Sequence, residues 1–465
     1  MQKTKYLGPS AKDRVELENR QRVHREFSAT SKRETDEFEY GSLERILSRE
    51  NLLLAMKRVI SNKGSHGVDG MTVYELKQFL QTNWLKIRED IFNNEYKPMP
   101  VRRVEISKPD GGTRLLGIPT VLDRFIQQAI SQELNLIYDE NFSENSFGFR
   151  PRRGVKDAIR KAESYINEGY TWVVDIDLEK FFDNVPQDRL MSLVGRVIQS
   201  PDTESLIRKY LKAGVMDRGH YAPTEMGTPQ GGNLSPLLSN VMLHELDMEL
   251  ARRGLHYVRY ADDCVILVGS ESSAKRVMHS VTSWIERKLG LKVNAEKSHI
   301  GRPSGLKYLG FGFYKNSITK QWASRPHALS VVKFKRKLKR LCKRNWSISM
   351  AERIDNLNYV IRGWINYFSL SDMKYKMEKI DEHLRTMLRV VIWKQWKNPK
   401  KRAWGLRKLG IADDLAKRTS VCGNRYQWMV TKTCIVRAIS KKAMSQKGLV
   451  SCLDYYVYRH TLKTN

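Results

Sequence analysis

Cysteine is scarce in this chain. The 465 residues contain five, at Cys264, Cys342, Cys422, Cys434 and Cys452, and no two form a Cys-x-x-Cys pair. That spacing supports neither a disulfide framework nor a zinc module, and the thiols read as reduced and mostly structural. Histidine is dispersed too: His66, His220, His244 and His299 each lack a companion at ligand spacing and read as ordinary polar or half-buried imidazoles. No apolar run approaches the roughly 20 residues that a membrane-spanning helix needs. The opening Met1-Gln2-Lys3-Thr4-Lys5 lacks the apolar stretch of a secretory signal. A soluble cytoplasmic protein without a membrane partner is expected. Negative charge is also in short supply: 51 Asp and Glu face 82 Lys and Arg, leaving a net charge of +31. An excess of that size makes a polyanion the natural partner, nucleic acid before an anionic membrane surface.

What is present suffices for two or three domains, since 41% of the residues are hydrophobic. Residues 1–40 are charged and poor in large apolar groups, the composition of a basic extension expected either to stay flexible or to order on a partner. From Leu43 to about Tyr314, helices with apolar residues every three or four positions alternate with short strands bounded by Gly, Pro, Asn and Asp. Beyond about Ser324 strand signals nearly vanish, and basic helical stretches such as Val331–Leu341 take over. The expected fold class is α+β, followed by an all-helical region.

Two segments carry the chemistry. In Thr171-Trp172-Val173-Val174-Asp175-Ile176-Asp177-Leu178 the two-residue period of a strand puts Trp172, Val174 and Ile176 on one face and Asp175 and Asp177 on the other. In Tyr257–Val268, two apolar runs flank Ala261-Asp262-Asp263, a β-hairpin with carboxylates at its tip. Phosphoryl transfer to a growing strand uses two Mg²⁺ ions about 3.5–4 Å apart, and Mg²⁺ is held by few carboxylates plus phosphate oxygens. Carboxylates on one strand and at an adjacent hairpin tip supply such ligands and repel one another without a cation. Alone, an Asp-Asp hairpin is usually turn chemistry and a strand Asp is often merely solvated; the joint occurrence is the signal. Between them, Met226-Gly227-Thr228-Pro229-Gln230-Gly231-Gly232 reads as a turn whose glycines admit close approach to a ligand. The apolar run after it reads as a helix beneath the strands.

Tyr260-Ala261-Asp262-Asp263, Gly227-Thr228-Pro229-Gln230-Gly231-Gly232 and Asp177-Leu178-Glu179-Lys180-Phe181-Phe182-Asp183-Asn184 together resemble the palm motifs of group II intron reverse transcriptases. Ile106–Pro119, Asn145–Pro151, Gly290–Ser298 and Leu306–Phe311 agree in order and spacing, so that the resemblance spans roughly residues 43–400. It implies a right-hand polymerase, with fingers and an antiparallel palm sheet over 41–320, a helical thumb and maturase region over 321–400, and a basic tail over 401–465 that is a candidate DNA-binding segment. It implies an RNA-directed DNA polymerase that adds dNMP to a DNA 3′ end, with Asp177, Asp262 and Asp263 as the acidic centre. Two Mg²⁺ ions would be ligated by Asp177, Leu178 and Asp262.

The family's spacing to Phe182-Asp183-Asn184 selects Asp177 over Asp175. Phe182 would lie beneath the sugar of the incoming dNTP and leave no room for a 2′-hydroxyl, while Phe181 reads as core. Lys108 and Arg114 fit the finger residues that grip the triphosphate, Gln230 the residue that contacts template or nucleotide, and Lys297 a proton donor to pyrophosphate. Arg150, Lys335, Arg336, Lys339 and Trp396 are candidate nucleic-acid contacts, and Trp364 reads as the apolar face of a thumb helix. The implied partners are group II intron RNA, an RNA template with its DNA primer, a DNA target and dNTPs, in a bacterial cytoplasm or its nucleoid. Retron-type and diversity-generating reverse transcriptases share the palm but generally lack the maturase-like extension. Residues 405–465 depart from the longer members of the family: their three cysteines lack the paired spacing of a Cys/His endonuclease, which resembles the compact, endonuclease-free class. The other classes weighed are an RNA-binding splicing cofactor with a decayed polymerase and a domesticated repair or defence polymerase.

Overall fold

The computed structural model describes residues 39–107, 112–423 and 425–461. Among them, residues up to Ala158 together with Val174–Ile300 form one unit, and Ile159–Val173 together with residues from Gly301 form a second. The 1–40 extension falls almost wholly outside the described residues, as does Lys108.

The first unit is built around two four-stranded sheets. In one, β1 (Val101–Ser107) pairs antiparallel with β2 (Thr113–Ile118), and β1 also pairs in parallel with β4 (Val215–Asp217), which is followed by β5 (His220–Ala222), in the order β2-β1-β4-β5. The other has the order β6-β7-β3-β8, from β3 (Trp172–Ile176), β6 (His256–Tyr260), β7 (Asp263–Val268) and β8 (His299–Gly301). Strand β3 is interior, and Val173, Val174 and Ile176 are buried while Trp172 and Asp175 are half-buried. Strands β6 and β7 are antiparallel with Tyr260 opposite Asp263, so the hairpin closes on the two residues Ala261 and Asp262. Helix Ser235–Arg252, with Pro236 in its first turn where a missing N–H costs nothing, buries Leu237, Leu238, Met242, Leu246 and Leu250. It packs on β6 and on helix Val121–Asn141. Each such side chain is worth about 1.5–3 kcal/mol when fully buried.

The second unit has one hairpin, β9 (Phe311–Lys315) with β10 (Trp322–Pro326), and is helical thereafter to Thr461. Strand signals end in the sequence where the strands end in the structure. Helices Ala328–Leu341, Met350–Phe368 and Lys374–Gln395 bury an apolar stripe each, with Arg353 and Arg389 buried beside it and most other cations in solvent. The last helix, Cys452–Thr461, is tied back to them. The buried Asp381 carboxylate accepts from the Ser451 hydroxyl (2.6 Å) and from the backbone N–H of Cys452 (2.7 Å) and Leu453 (3.0 Å) at that helix's start. Asn358 bonds the Gly448 carbonyl and the Val450 N–H. All five cysteines are free, three of them buried.

Candidate active site

The end of β3 delivers Asp177, and the β6–β7 hairpin tip delivers Asp262; both are half-buried, and Asp263 is exposed. Burial pushes the Asp262 carboxyl above its usual range and the negative charge of Asp177 adds to this, whereas its own backbone N–H and the cations Arg114 and Arg259 oppose it. The two carboxylates therefore share one field, and Arg114 on β2 reaches it. Asp175 also faces this region. Burial, followed by Asp177 as a like charge, raises its carboxyl to about 6 against the pull of His299, whose Nδ1 lies 3.8 Å away. That pair escaped sequence reading because His299 has no companion nearby in sequence. Ser298, next to it, accepts from the Asp177 backbone N–H at 3.0 Å, and Asn294 N–H donates to the Asp177 carbonyl at 2.8 Å, so the Gly290–Ser298 segment fixes the end of β3. Leu178 is buried and bridges to Val293. Lys297, in the same turn, is exposed.

The glycine-rich turn is approached closely by the chain's own backbone, which corrects the expectation that its glycines serve a ligand. A Cβ on Gly227 would lie 2.7 Å from the carbonyl oxygens of both Phe182 and Asp183, and one on Gly231 would lie 2.6 Å from the Gly117 carbonyl; both residues have positive φ. Thr228 N–H donates to Phe182 O at 2.7 Å and Gly117 N–H to Gln230 O at 2.8 Å. The turn thus bridges the Phe181–Asn184 helix and the end of β2, leaving Gln230 half-exposed between them. Phe181 is buried, as expected, and meets the half-exposed Phe182 edge-on at 5.2 Å.

A buried polar network, unforeseen from sequence, holds the hairpin tip. Arg259 and Asp247 are both fully buried, and their forked ion pair has Nε–Oδ1 at 2.8 Å and Nη2–Oδ2 at 2.5 Å. Arg259 Nη1 also donates to the Ala261 carbonyl (2.9 Å) and to Asn240 Oδ1 (3.0 Å), and Asn240 Nδ2 donates to the Gly148 carbonyl (2.9 Å). Ala261 has φ of 57°, the left-handed region that a two-residue hairpin asks of its first turn residue. Gly148 lies directly beneath: a Cβ there would press into the Ala261 backbone nitrogen and sit 2.9 Å from the Tyr260 carbonyl carbon.

Of the residues proposed to touch nucleic acid, Arg150 is committed within the chain and Trp396 is half-covered. Arg150 is buried and donates from Nε to Asp139 Oδ1, from Nη1 to the carbonyls of Phe142, Ser143 and Ser146, and from Nη2 to the Asp139 carbonyl, so that its guanidinium is engaged within the chain. Trp396 is half-covered, its ring resting where a Cβ of Gly405 would come within 2.5 Å. Lys335, Arg336 and Lys339 are exposed on helix Ala328–Leu341, whose Phe334 and Leu338 are buried. Trp364, expected on an apolar helix face, stacks on Phe334 at 4.4 Å.

The donor set at the tip is made of hard oxygens, which suits Mg²⁺ rather than a softer ion. Among the described residues, no three His, Cys, Asp or Glu side chains are assembled as a metal cage. Two carboxylates whose charges are mutually unfavourable are what an ion partly ligated by substrate phosphates requires. Paired strand and hairpin carboxylates on one sheet, reached by a cation from a second sheet, define the palm of a template-directed nucleotidyl-transfer enzyme. The comparisons narrow this class. Residues 106–313 match the family model for reverse transcriptase (RNA-dependent DNA polymerase), and residues 331–410 match the group II intron, maturase-specific domain. The chain is 33% identical to Protein YkfC of Escherichia coli (strain K12) over 306 residues, covering 57% of this chain and 80% of that protein. It is 30% identical to group II intron-encoded protein LtrA of Lactococcus lactis subsp. cremoris, with 61% and 58% covered, and 28% identical to the putative COX1/OXI3 intron 2 protein of Saccharomyces cerevisiae, with 60% and 39% covered. The chain belongs to the group II intron-encoded reverse transcriptases, RNA-directed DNA polymerases joined to a maturase domain. The match spans little more than half the length of LtrA and well under half that of the yeast protein. Reverse transcriptases depend on divalent metal and work on nucleic acid, and no helix among the described residues is long and apolar enough to cross a membrane.

Proposed function

We propose that this chain extends a DNA 3′ end by copying RNA and also binds the RNA of a parent group II intron to assist its splicing. The observation that carries the first half is the shared field of Asp177 and Asp262 at the tip of a rigidly held hairpin. Asp177 and Asp262, with the Leu178 carbonyl, would hold two Mg²⁺ ions, which supply positive charge to the attacking 3′-hydroxyl and to the leaving pyrophosphate. Asp263 completes the acidic centre. Arg114, together with Lys108, grips the triphosphate, and Gln230 contacts template or nucleotide. Lys297 gives a proton to pyrophosphate. The second half rests on the maturase-specific match and on the exposed cations of helix Ala328–Leu341, to which the basic C-terminal segment adds contacts to a DNA target. Such a protein works in the bacterial cytoplasm on ribonucleoprotein or nucleoid.

Incubating the protein with an RNA template, an annealed DNA primer, dNTPs and Mg²⁺ is expected to yield full-length DNA. Absence of product, with tight RNA binding retained, would move the assignment to a splicing cofactor without polymerase activity. Phe182 supplies a second check, because a half-exposed ring beside the glycine-rich turn is suited to collide with a 2′-hydroxyl. Phe182→Ala is expected to lower the preference for dNTP over rNTP by about 10–100-fold, roughly the 1–3 kcal/mol that a steric contact of this size discriminates. Competition between dCTP and rCTP in single-nucleotide extension measures it, and an unchanged ratio removes Phe182 from that role.

A further inference from the structure

The glycine-rich turn 227–233 carries Gln230 and bonds the backbone of Phe182, the two residues proposed to meet template or nucleotide. Three of its seven residues are glycines, so its own side chains do little to fix its shape. At each end the backbone of the turn is held by a buried glutamine from another element. Gln187 opens helix Gln187–Gly195 and is 4% exposed; its Nε2 donates to the Gly227 carbonyl at 3.0 Å and to the Leu211 carbonyl at 3.1 Å. Gln127, on helix Val121–Asn141, is 5% exposed, and its Oε1 accepts the Asn233 N–H at 3.0 Å. Gly232 is pressed on the same oxygen, since a Cβ there would lie 2.8 Å from it.

The two anchors serve different neighbours. Beside Gln187, the Gly227 N–H donates to the Val185 carbonyl (2.8 Å) and the Thr228 N–H to the Phe182 carbonyl (2.7 Å), so this end of the turn carries the backbone of Phe182. Beside Gln127, the Gly232 N–H (3.3 Å) and the Ser235 hydroxyl (2.7 Å) both donate to the Pro229 carbonyl, which closes a turn over 229–232 with Gln230 at its second position. The Asn233 side chain donates to Gln128 Oε1 at 3.1 Å, tying this end to the helix that bears Gln127. Glutamine suits both places: one amide gives N–H groups to carbonyls, the other takes an N–H on its oxygen, and neither brings a charge into the interior. Neither residue lies in the motifs that mark the palm.

We propose that Gln187 and Gln127 are positioning residues that clamp the two ends of this turn, Gln187 holding Phe182 against the sugar of the incoming nucleotide and Gln127 holding Gln230 on template or nucleotide. The proposal rests on the polymerase reading of the site and adds two residues that act through others. Displacing a substrate contact by about 1 Å costs up to about 100-fold in rate, so a slackened turn is read in sugar choice at one end and in KM at the other.

The test is single-nucleotide extension of a DNA primer on an RNA template by the full chain, with dCTP and rCTP, beside thermal melts. Gln187→Met, which keeps the volume and loses the donor, is expected to lower the preference for dCTP over rCTP by about fivefold or more, and to lower it no further in a Phe182→Ala background. Gln127→Met is expected to raise KM for dCTP or for the primed template by about fivefold or more with kcat within about twofold, and to add nothing in a Gln230→Ala background. Gln127→Glu keeps the accepting oxygen, so KM returns toward wild type even though a buried ionisable group lowers the melting temperature. Where a Met variant does not fold, the Asn variant at that position, which keeps the amide and withdraws it by one methylene, is held to the same outcomes. Unchanged sugar preference and KM in the folded variants overturn the clamp and leave the polymerase reading standing. So do losses that follow the melting temperature and multiply with those of Phe182→Ala and Gln230→Ala. A Phe182→Ala or Gln230→Ala protein indistinguishable from wild type removes that residue and its half of the clamp. Failure of the wild type to extend the primer overturns both the clamp and the reading beneath it.

Discussion

Asp262→Asn will cut primer extension by about three orders of magnitude or more, the equivalent of at least ~4 kcal/mol in the barrier, while leaving the protein as stable as wild type or slightly more so. The asymmetry comes from the site's electrostatics. Asp262 is half-buried and shares its surroundings with Asp177, so folding brings two negative charges together and withdraws one partly from water. An isosteric amide removes that repulsion, keeps the hairpin's shape and relieves the desolvation of a charge. It also removes an anionic oxygen that the proposed Mg²⁺ ions need, and an amide oxygen is a much weaker ligand for a hard cation. Asp177→Asn is expected to behave in the same way. Because the two act as one unit, the double variant should lose little more activity than either single variant. Primer extension under single-turnover conditions, alongside thermal melting, reads both effects. An Asp262→Asn protein that retains a tenth of wild-type rate would remove Asp262 from the metal site. One that fails to fold would mean that the carboxylate is structural.

The parts of the site that the sequence discloses are those encoded by local period. Alternation in 172–177 places Asp175 and Asp177 on one face because a strand has only two faces, and the paired apolar runs around Ala261-Asp262 close a hairpin because a two-residue turn leaves them no other partner. What stays hidden is made by meetings between distant segments. Gly148, Asn240, Asp247 and Arg259 converge on one turn, yet nothing local marks them: Asp247 lies on a helix that reads as ordinary, and Arg259 reads as one more cation in a basic chain. Arg150 is misread for the same reason. Its five hydrogen bonds exist only because the chain folds back around it, and at sequence level a buried arginine is indistinguishable from one that holds a phosphate. The glycines of 226–232 are legible as points of close approach, but whether the visitor is a ligand or a neighbouring carbonyl depends on where Phe182 and Gly117 lie.

Arg259→Met will destabilise the protein by about 3–5 kcal/mol, since it leaves the fully buried Asp247 carboxylate without its cation. The loss is not evenly shared between stability and function, and a second substitution separates the two. Replacing both partners, as Asp247→Leu with Arg259→Met, removes the stranded charge and restores much of the stability, because a buried ion pair exchanged for apolar side chains of similar volume is often neutral or better. The double variant still lacks the Nη1 bond to the Ala261 carbonyl and the link through Asn240 to Gly148. Ala261 holds a left-handed conformation that costs of order 1–3 kcal/mol for a residue other than glycine, and without that clamp the turn carrying Asp262 relaxes. The expected result is therefore recovery of the melting temperature without recovery of primer extension. Full recovery of extension in the double variant would show that the network serves folding alone. Loss of both, persisting in the double variant, would show that Asn240 and Gly148 cannot keep the hairpin in register without a charge at its centre.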